Sequence, residues 1–188
     1  MYKKGAGKKS ISRNYQNINC SGSEAGCNYK SKVVNWGSIE GYTLGKKLGE
    51  GTFSEVFKGV HKKSEANVAI KRIMKGNPGK IKREVSILKR IKGSKNNAHI
   101  FDSVKGNSGS EKYIVINYYV DDRLIKNNTP ISEAEVKEYM FQLLNGLDEA
   151  HSRGVIHRDI KPANIVINRK RSRLKIIDWG MADFYHHL

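Results

Sequence analysis

Asp159 and Asn164 stand five residues apart in His157-Arg158-Asp159-Ile160-Lys161-Pro162-Ala163-Asn164. That spacing puts a carboxylate, an ammonium and a carboxamide on one short loop. The set suits proton acceptance, phosphate neutralisation and coordination of a hard cation in turn. Further on, Ile176 and Ile177 deliver a second carboxylate, Asp178, to the tip of a short strand, and Trp179-Gly180 follows. Far upstream, Val68-Ala69-Ile70 carries Lys71 among apolar strand neighbours, where an ammonium is costly without an anionic partner. Glu84, in Lys82-Arg83-Glu84, can supply that partner. In Gly49-Glu50-Gly51-Thr52-Phe53-Ser54 the two glycines let the backbone approach an anion with N–H groups facing phosphate oxygens. Each feature alone has an ordinary explanation: a solvated glutamate, a strand-end lysine, a glycine hairpin. The eight-residue polar loop is the one whose chance occurrence is hardest to accept.

The elements that must position these groups can be read from periodicity. YTLGKKLG, SEVFKGV and NVAIKRI are short, rich in β-formers and broken by glycine or polar residues, which predicts an antiparallel meander. No helix follows the glycines directly and no G-x-x-x-x-G-K-[ST] occurs, so a dinucleotide fold is disfavoured and a P-loop is excluded. Asn77 as N-cap and Pro78 at the first position start a helix, with Ile81, Val85, Leu88 and Ile91 at helical spacing and Gly93 to end it. Two more strands are expected at 98–104 and 113–120. Ser132 and Glu135 form a capping-box pattern for a longer helix. Its apolar stripe is Val136, Met140, Leu143, Leu144 and Leu147, and Gly154 is its stop. His151 and Arg153 are placed to meet the carbonyl end of its dipole. Loop, strand, turn and strand then lead to Asp178.

Composition sets the outer bounds. There are 35 Lys+Arg against 18 Asp+Glu, a formal net charge of +17, which implies attraction to something anionic. Residues 1–28 are too poor in large apolar groups to offset the cost of ordering, so a mobile basic tail is expected. Cys20 and Cys27 have no histidine nearby and lack four-ligand zinc spacing, and two cysteines are too few for a disulfide framework, so reduced thiols are expected. No apolar run is long enough for a membrane span, and no secretory signal is read at the N-terminus.

The lysine strand VAIK, the loop HRDIKPAN and DWG, in this order after a glycine loop, resemble the signature set of the eukaryotic protein kinases. Trp179 in place of the usual Phe, Ser54 in place of the third glycine, and the stretches NYKSKVVNWG, SEVFKG, KIKRE and DWGMADFYH are similar to the casein kinase II catalytic (alpha) subunit, over about Asn28 to His186. The resemblance implies an α+β, protein-kinase-like fold. Its N-lobe would be complete, a five-stranded antiparallel sheet plus one helix, with only the start of the helical C-lobe. The implied division is a basic mobile tail at 1–28, a segment docking on the core at 29–41, the N-lobe at 42–120 and a partial C-lobe at 121–188.

The resemblance also implies roles, with ATP (or GTP) and Mg²⁺ as cofactors. Lys71 would hold the α- and β-phosphates and be oriented by Glu84. Asp159 would accept or orient the proton of a Ser/Thr hydroxyl, and Lys161 would neutralise the migrating group. Asn164 and Asp178 would hold the metal ions. Gly49, Glu50, Gly51, Thr52 and Ser54 would cover the nucleotide. Leu48, Val56 and Ala69 would sandwich the adenine over a floor of Val166 and Ile177. Implied partners are acidic protein substrates, met in part by Lys80, Lys82 and Arg83, and a regulatory beta subunit on the N-lobe, with no membrane or nucleic acid. The implied location is intracellular, in nucleus or cytoplasm.

Val33, Val34 and Trp36 would pack on the first helix and hold the active geometry without phosphorylation. Trp179 would add an indole hydrogen bond that a phenyl ring cannot make. Asn77-Pro78-Gly79 replaces the family's lysine run and Glu50 and Thr52 replace basic residues, so a weakened acidic preference is expected; separately, Asn117 stands where the family commonly has a hinge Glu. Such kinases continue after DWG with further segments and helices. The 188-residue chain is therefore expected to be a poor catalyst of marginal stability, its long helix facing water or a partner. Two other readings stand beside the kinase: a non-catalytic nucleotide- or subunit-binding module, and a basic nucleic-acid binder supported by charge alone.

Overall fold

The computed structural model describes residues 31, 33–74, 76–122 and 130–185. The expectations for the tail and for both cysteines lie outside these residues. Alternation along the strands builds the upper half. The strands are β1 (Gly37–Ser38), β2 (Tyr42–Gly51), β3 (Ser54–His61), β4 (Asn67–Ile73), β5 (Ile100–Lys105) and β6 (Lys112–Asn117), in the spatial order β1-β5-β6-β4-β3-β2. Five of them are mutually antiparallel, as expected. The sixth, β1, adds to the far edge by pairing parallel with β5. On β4 the period of two sends Val68 and Ile70 to one face, where they join Tyr42, Val104, Tyr113 and Val115. It sends Ala69 and Lys71 to the other face, which lines a cleft.

Helix α1 (Pro78–Arg90) starts as its sequence predicts: Gly79 N–H donates to Asn77 Oδ1 at 2.7 Å and Pro78 opens the first turn. Ile81, Val85, Leu88 and Ile91 are all buried, joined by Ile87, and Gly93 takes a positive φ of 88° in the turn that follows. The segment ahead of β1 docks differently from the expectation. Val34 enters the core beside Val85 and Trp36 packs partly against it, but Val33 is 84% exposed. Val34 takes the buried place against α1, and Val33 stays at the rim of the groove beside Val85 and Ser86. Ser103 Oγ fixes this segment by donating to the Asn35 carbonyl at 3.0 Å.

The lower half hangs on α2 (Glu133–His151), whose capping box is present in full. Its apolar stripe divides into two lines. Leu143 and Leu147 pack on the core with Tyr139 and Ala150. Val136, Met140 and Leu144 are exposed, as is Phe141. The buried line passes through Gly146, where an added Cβ would lie 2.9 Å from Ile176 Cδ1 and 3.0 Å from Asn96 Cβ. That close approach decides which face of the helix turns inward. Below it lie β7 (Val155–Ile156), β8 (Ile165–Asn168), β9 (Arg173–Ile176) and β10 (Asp183–Phe184), paired antiparallel as β8 with β9 and β7 with β10.

A row of polar contacts joins the halves. From α2, Gln142, Glu149 and the Gly146 carbonyl hold Asn96, Ser94 with Lys95, and Asn97. Arg153, expected to serve the end of its own helix, instead donates to the carbonyls of Arg90 and Lys92 at 3.2 and 2.9 Å, satisfying the open end of α1. The chain beyond α1 also pairs with β9: Ala98 N–H donates to the Ile176 carbonyl, and Ile176 N–H to that of Asn96. No helix among the described residues is long and apolar enough to cross a membrane.

The two valines give a test. Val34→Asp buries a carboxylate at a site only 7% exposed and should lower stability by about 2 kcal/mol or more. Val33→Asp should stay within about 0.5 kcal/mol of the parent. Urea unfolding midpoints of the two variants measure the difference.

Candidate active site

The sheet, α1 and the β8–β9 hairpin enclose a cleft of 510 Å³. Leu48, Gly49, Glu50, Gly51, Ser54, Val56 and Ala69 line its roof, and Val166, Ile177, Asn164 and Asp178 its floor. Thr52 is the exception among the expected nucleotide contacts, since it sits exposed in the β2–β3 turn outside the lining. Leu88, read only as part of the α1 stripe, also lines the cleft, together with Ala98, Ile114, Ile116, Tyr118, Tyr119 and Asp121, for which the sequence suggested no site role. Tyr118 and Tyr119 fall within the strand expected to 120, but β6 ends at Asn117, also in the lining, and the chain continues along the cleft edge to Asp121.

Lys71 lies at the centre. Val56 and Ile114 flank it on neighbouring strands, and its Nζ donates to Glu84 Oε1 at 2.8 Å and to Asp178 Oδ1 at 2.9 Å. Burial pushes the ammonium towards its neutral form, but the two carboxylates outweigh that and hold its pKa above the usual lysine range. Burial likewise pushes Asp178 up, and Lys71 reverses it, leaving Asp178 below the usual carboxylate range. Asp178 has a positive φ of 55°, an uncommon backbone conformation that turns its carboxylate into the cleft. Gly180 makes this packing possible. A Cβ there would stand 3.0 Å from Lys71 Nζ and 3.3 Å from both Asp178 Oδ1 and Glu84 Oε2.

The loop after β7 is assembled from below. Trp179 is buried, its Nε1 donates to the Ile176 carbonyl at 3.4 Å, and its ring meets the edge of His157 at 4.5 Å. His157 Nε2 donates to the Ile177 carbonyl at 3.0 Å, and Nδ1 accepts from the Asp159 N–H at 3.2 Å. One neutral tautomer satisfies both bonds, and burial holds the imidazole below its ordinary pKa. Above it, Asp159 Oδ2 accepts from Lys161 Nζ at 2.8 Å and from Asn164 Nδ2 at 2.9 Å. These bonds, that of Lys161 first, keep Asp159 below the usual carboxylate range. Asn164 also donates to the Asp159 carbonyl, so the five-residue spacing closes the loop on itself.

Sequence spacing gave no sign of a third cluster. Asp183 Oδ2 accepts from Arg83 Nη1 of α1 and from Arg158 Nη2 of the loop, both at 3.0 Å. Arg158 Nε also donates to the Met181 carbonyl at 2.8 Å. Arg83, expected to face acidic substrates, is thus committed inside the protein. Glu50 at the roof is likewise committed, to Lys47 at 2.6 Å.

The donor set fits a hard cation brought in with phosphates. Asn164 has spent its amide N–H groups on Asp159, which leaves its carbonyl oxygen, and Asp178 adds a carboxylate. No cluster of three or more His, Cys, Asp or Glu suited to a metal occurs among the described residues. Two protein oxygens match Mg²⁺, which fills its octahedron with phosphate and water, better than an all-protein cage.

His157 makes stability depend on pH. Unfolded, it binds a proton near 6.5; folded, only at lower pH, so the unfolded state holds more protons between those values. Stability is therefore lost as pH falls from 6.5 through the lower folded pKa. Asp178 adds a loss only in stronger acid, below its unfolded pKa. The thermal midpoint should fall between pH 7 and 5, and His157→Gln should lower the midpoint but flatten that dependence.

Comparison with known proteins agrees with this geometry. The model of the family described as protein kinase domain matches residues 42–188. A probable serine/threonine-protein kinase of Dictyostelium discoideum is 33% identical over 178 residues, 95% of this chain. The chain spans 29% of that protein's length. With a match over most of its length and the signature residues gathered around one cleft, the chain belongs to the protein kinase domain family.

Proposed function

We propose that the cleft binds Mg-ATP and that its γ-phosphoryl group passes to a Ser/Thr hydroxyl, the activity of a serine/threonine protein kinase of casein kinase II alpha type. The observation that carries the reading is Lys71, held by Glu84 from α1 and Asp178 from the floor, facing the Asp159–Lys161–Asn164 loop across the cleft. An ammonium has three donors. Two go to the carboxylates, and the third is available to a phosphate oxygen. Asn164 and Asp178 would hold Mg²⁺, which supplies charge neutralisation on the phosphates. Asp159 is ionised at neutral pH and is placed to orient the acceptor hydroxyl and take its proton as the new O–P bond forms. Lys161 stands beside it to stabilise charge on the transferring group.

The casein kinase II type is supported by Trp179 with its added hydrogen bond, by Val34 on α1, and by the Asp183 bridge. In that bridge a built-in carboxylate joins Arg83 to Arg158 without a phosphate. The same reading takes acidic peptides as substrates, drawn by the net charge and by Lys80 on the exposed side of α1. With Arg83 committed to Asp183, the preference for acid is modest. A regulatory subunit on the outer sheet face belongs to the same proposal.

Transfer of labelled γ-phosphate to an acidic serine peptide tests it. Asp159→Asn should cost about 10²-fold or more, in line with loss of a general base. Transfer that survives this change would overturn the assignment. A thermal shift with Mg-ATP and no transfer by the parent would support a nucleotide-binding module instead. Gly180→Ala needs no forbidden backbone and adds one methyl group against Lys71 and both carboxylates. It should reduce nucleotide affinity about tenfold while shifting the thermal midpoint only a few degrees, since crowding at one point of a site costs about 1–3 kcal/mol.

A further inference from the structure

The turn between β8 and β9 reads Arg169-Lys170-Arg171-Ser172-Arg173 and takes no part in the cleft. We propose that Ser172 is a phosphorylation site for a second protein kinase, one selective for serines flanked by arginine. Among the serines and threonines of the chain, only Ser86 and Ser172 have an arginine three residues before them. Only Ser172 also has Lys170 at the second place and arginine immediately on each side. Ser86 is half-buried in the middle of α1, between the fully buried Val85 and Ile87.

The geometry presents Ser172. Lys170, Arg171, Ser172 and Arg173 are all exposed. Ser172 sits at the reversal with φ and ψ both 47°, a left-handed conformation that lifts it off the strand. Its N–H donates to the Arg169 carbonyl at 3.0 Å and its own carbonyl accepts from Gln142 at 2.8 Å. Its hydroxyl makes no hydrogen bond among the described residues and is the one polar group of Ser172 left over.

Three of the four basic charges are also available, while Arg169 pairs with Glu135 at 2.9 Å and must exchange that partner for one in the second kinase. Lys170, Arg171 and Arg173 form no ion pair among the described residues. Three unpaired cations around an exposed hydroxyl attract an acidic kinase cleft, and afterwards two guanidinium groups stand ready for a dianionic phosphate. The turn must open to enter such a cleft. What holds it is local and exposed: the Ser172 bond to Arg169, and the Arg171 N–H on Asn168 Oδ1 at 3.0 Å. Buried Leu174 stops the opening before it reaches the core. In the step itself, Ser172 Oγ attacks the γ-phosphorus of ATP held by the second kinase. The new O–P bond replaces the β–γ bridge, ADP leaves with the bonding pair, and the hydroxyl proton passes to that kinase's base.

The test uses the Asp159→Asn chain, so that label from its own activity is suppressed and the result does not depend on the function proposed above. It is incubated with labelled Mg-ATP and a purified arginine-directed kinase of the cyclic-AMP-dependent type, and the label is mapped by mass spectrometry. The expected result is close to one phosphate per chain, at Ser172. Ser172→Ala should remove most label without moving the thermal midpoint. Joint Arg169→Gln and Arg171→Gln should slow labelling about tenfold or more, the scale of lost charge complementarity. Label confined to Ser64, Ser86 or the N-terminal serines, or label undiminished in Ser172→Ala, would overturn the proposal.

Discussion

Everything at the cleft depends on one buried ammonium. Lys71 sits on the inward face of the sheet, where charge is expensive, and it is kept charged by carboxylates from two separate elements. Glu84 arrives on a helix and Asp178 at the end of a strand some hundred residues later. Glu84, nearly buried, needs the lysine as its partner, while Asp178 stays half exposed. The three charges meet only when sheet, helix and hairpin are all in place. The electrostatic requirement of one residue becomes a requirement on the relative position of three elements.

The Asp183 bridge applies the same logic a short distance away. One carboxylate oxygen serves guanidinium groups from α1 and from the loop that carries Asp159. It restrains the helix bearing Glu84 and the loop bearing the proposed base together. Two cations on one anion leave positive charge in excess, and part of it is offset because Arg158 also reaches the Met181 carbonyl. The pair of bridges, around Lys71 and around Asp183, holds α1 through the adjacent residues Glu84 and Arg83, each tied to a different partner.

Much of this arrangement was legible in the sequence, for identifiable reasons. Strand alternation around Lys71, the Asn77-Pro78 start and the Ser132–Glu135 box are local signals, and local chemistry honours them. The polar loop was legible because its members bond one another across five residues. The rest was set by distant partners. Nothing near Arg83 or Arg153 announces that one will reach Asp183 and the other the carbonyl end of a different helix. The division of the α2 stripe turns on Gly146, whose importance appears only when β9 is laid against it. Val33 and Val34 are equivalent by composition, and only their placement against α1 separates them. Glu50 and Thr52 were read from the resemblance as nucleotide contacts; Glu50 does line the cleft while paired with Lys47, and Thr52 lies exposed in the turn outside the lining.

The contacts between α2 and residues 90–97 have a mechanical consequence. Besides the bridges at Lys71 and Asp183, the upper half is joined to the lower by the chain that runs on from Asn117 and by the interlocked row formed with Gln142, Glu149 and Arg153. The row resists sliding and separation because its bonds point in several directions. Any widening of the mouth would therefore pivot on that row, with the glycine-rich β2–β3 turn at the far end of the lever and the C-terminal end of α1, held by Arg153, beside the pivot.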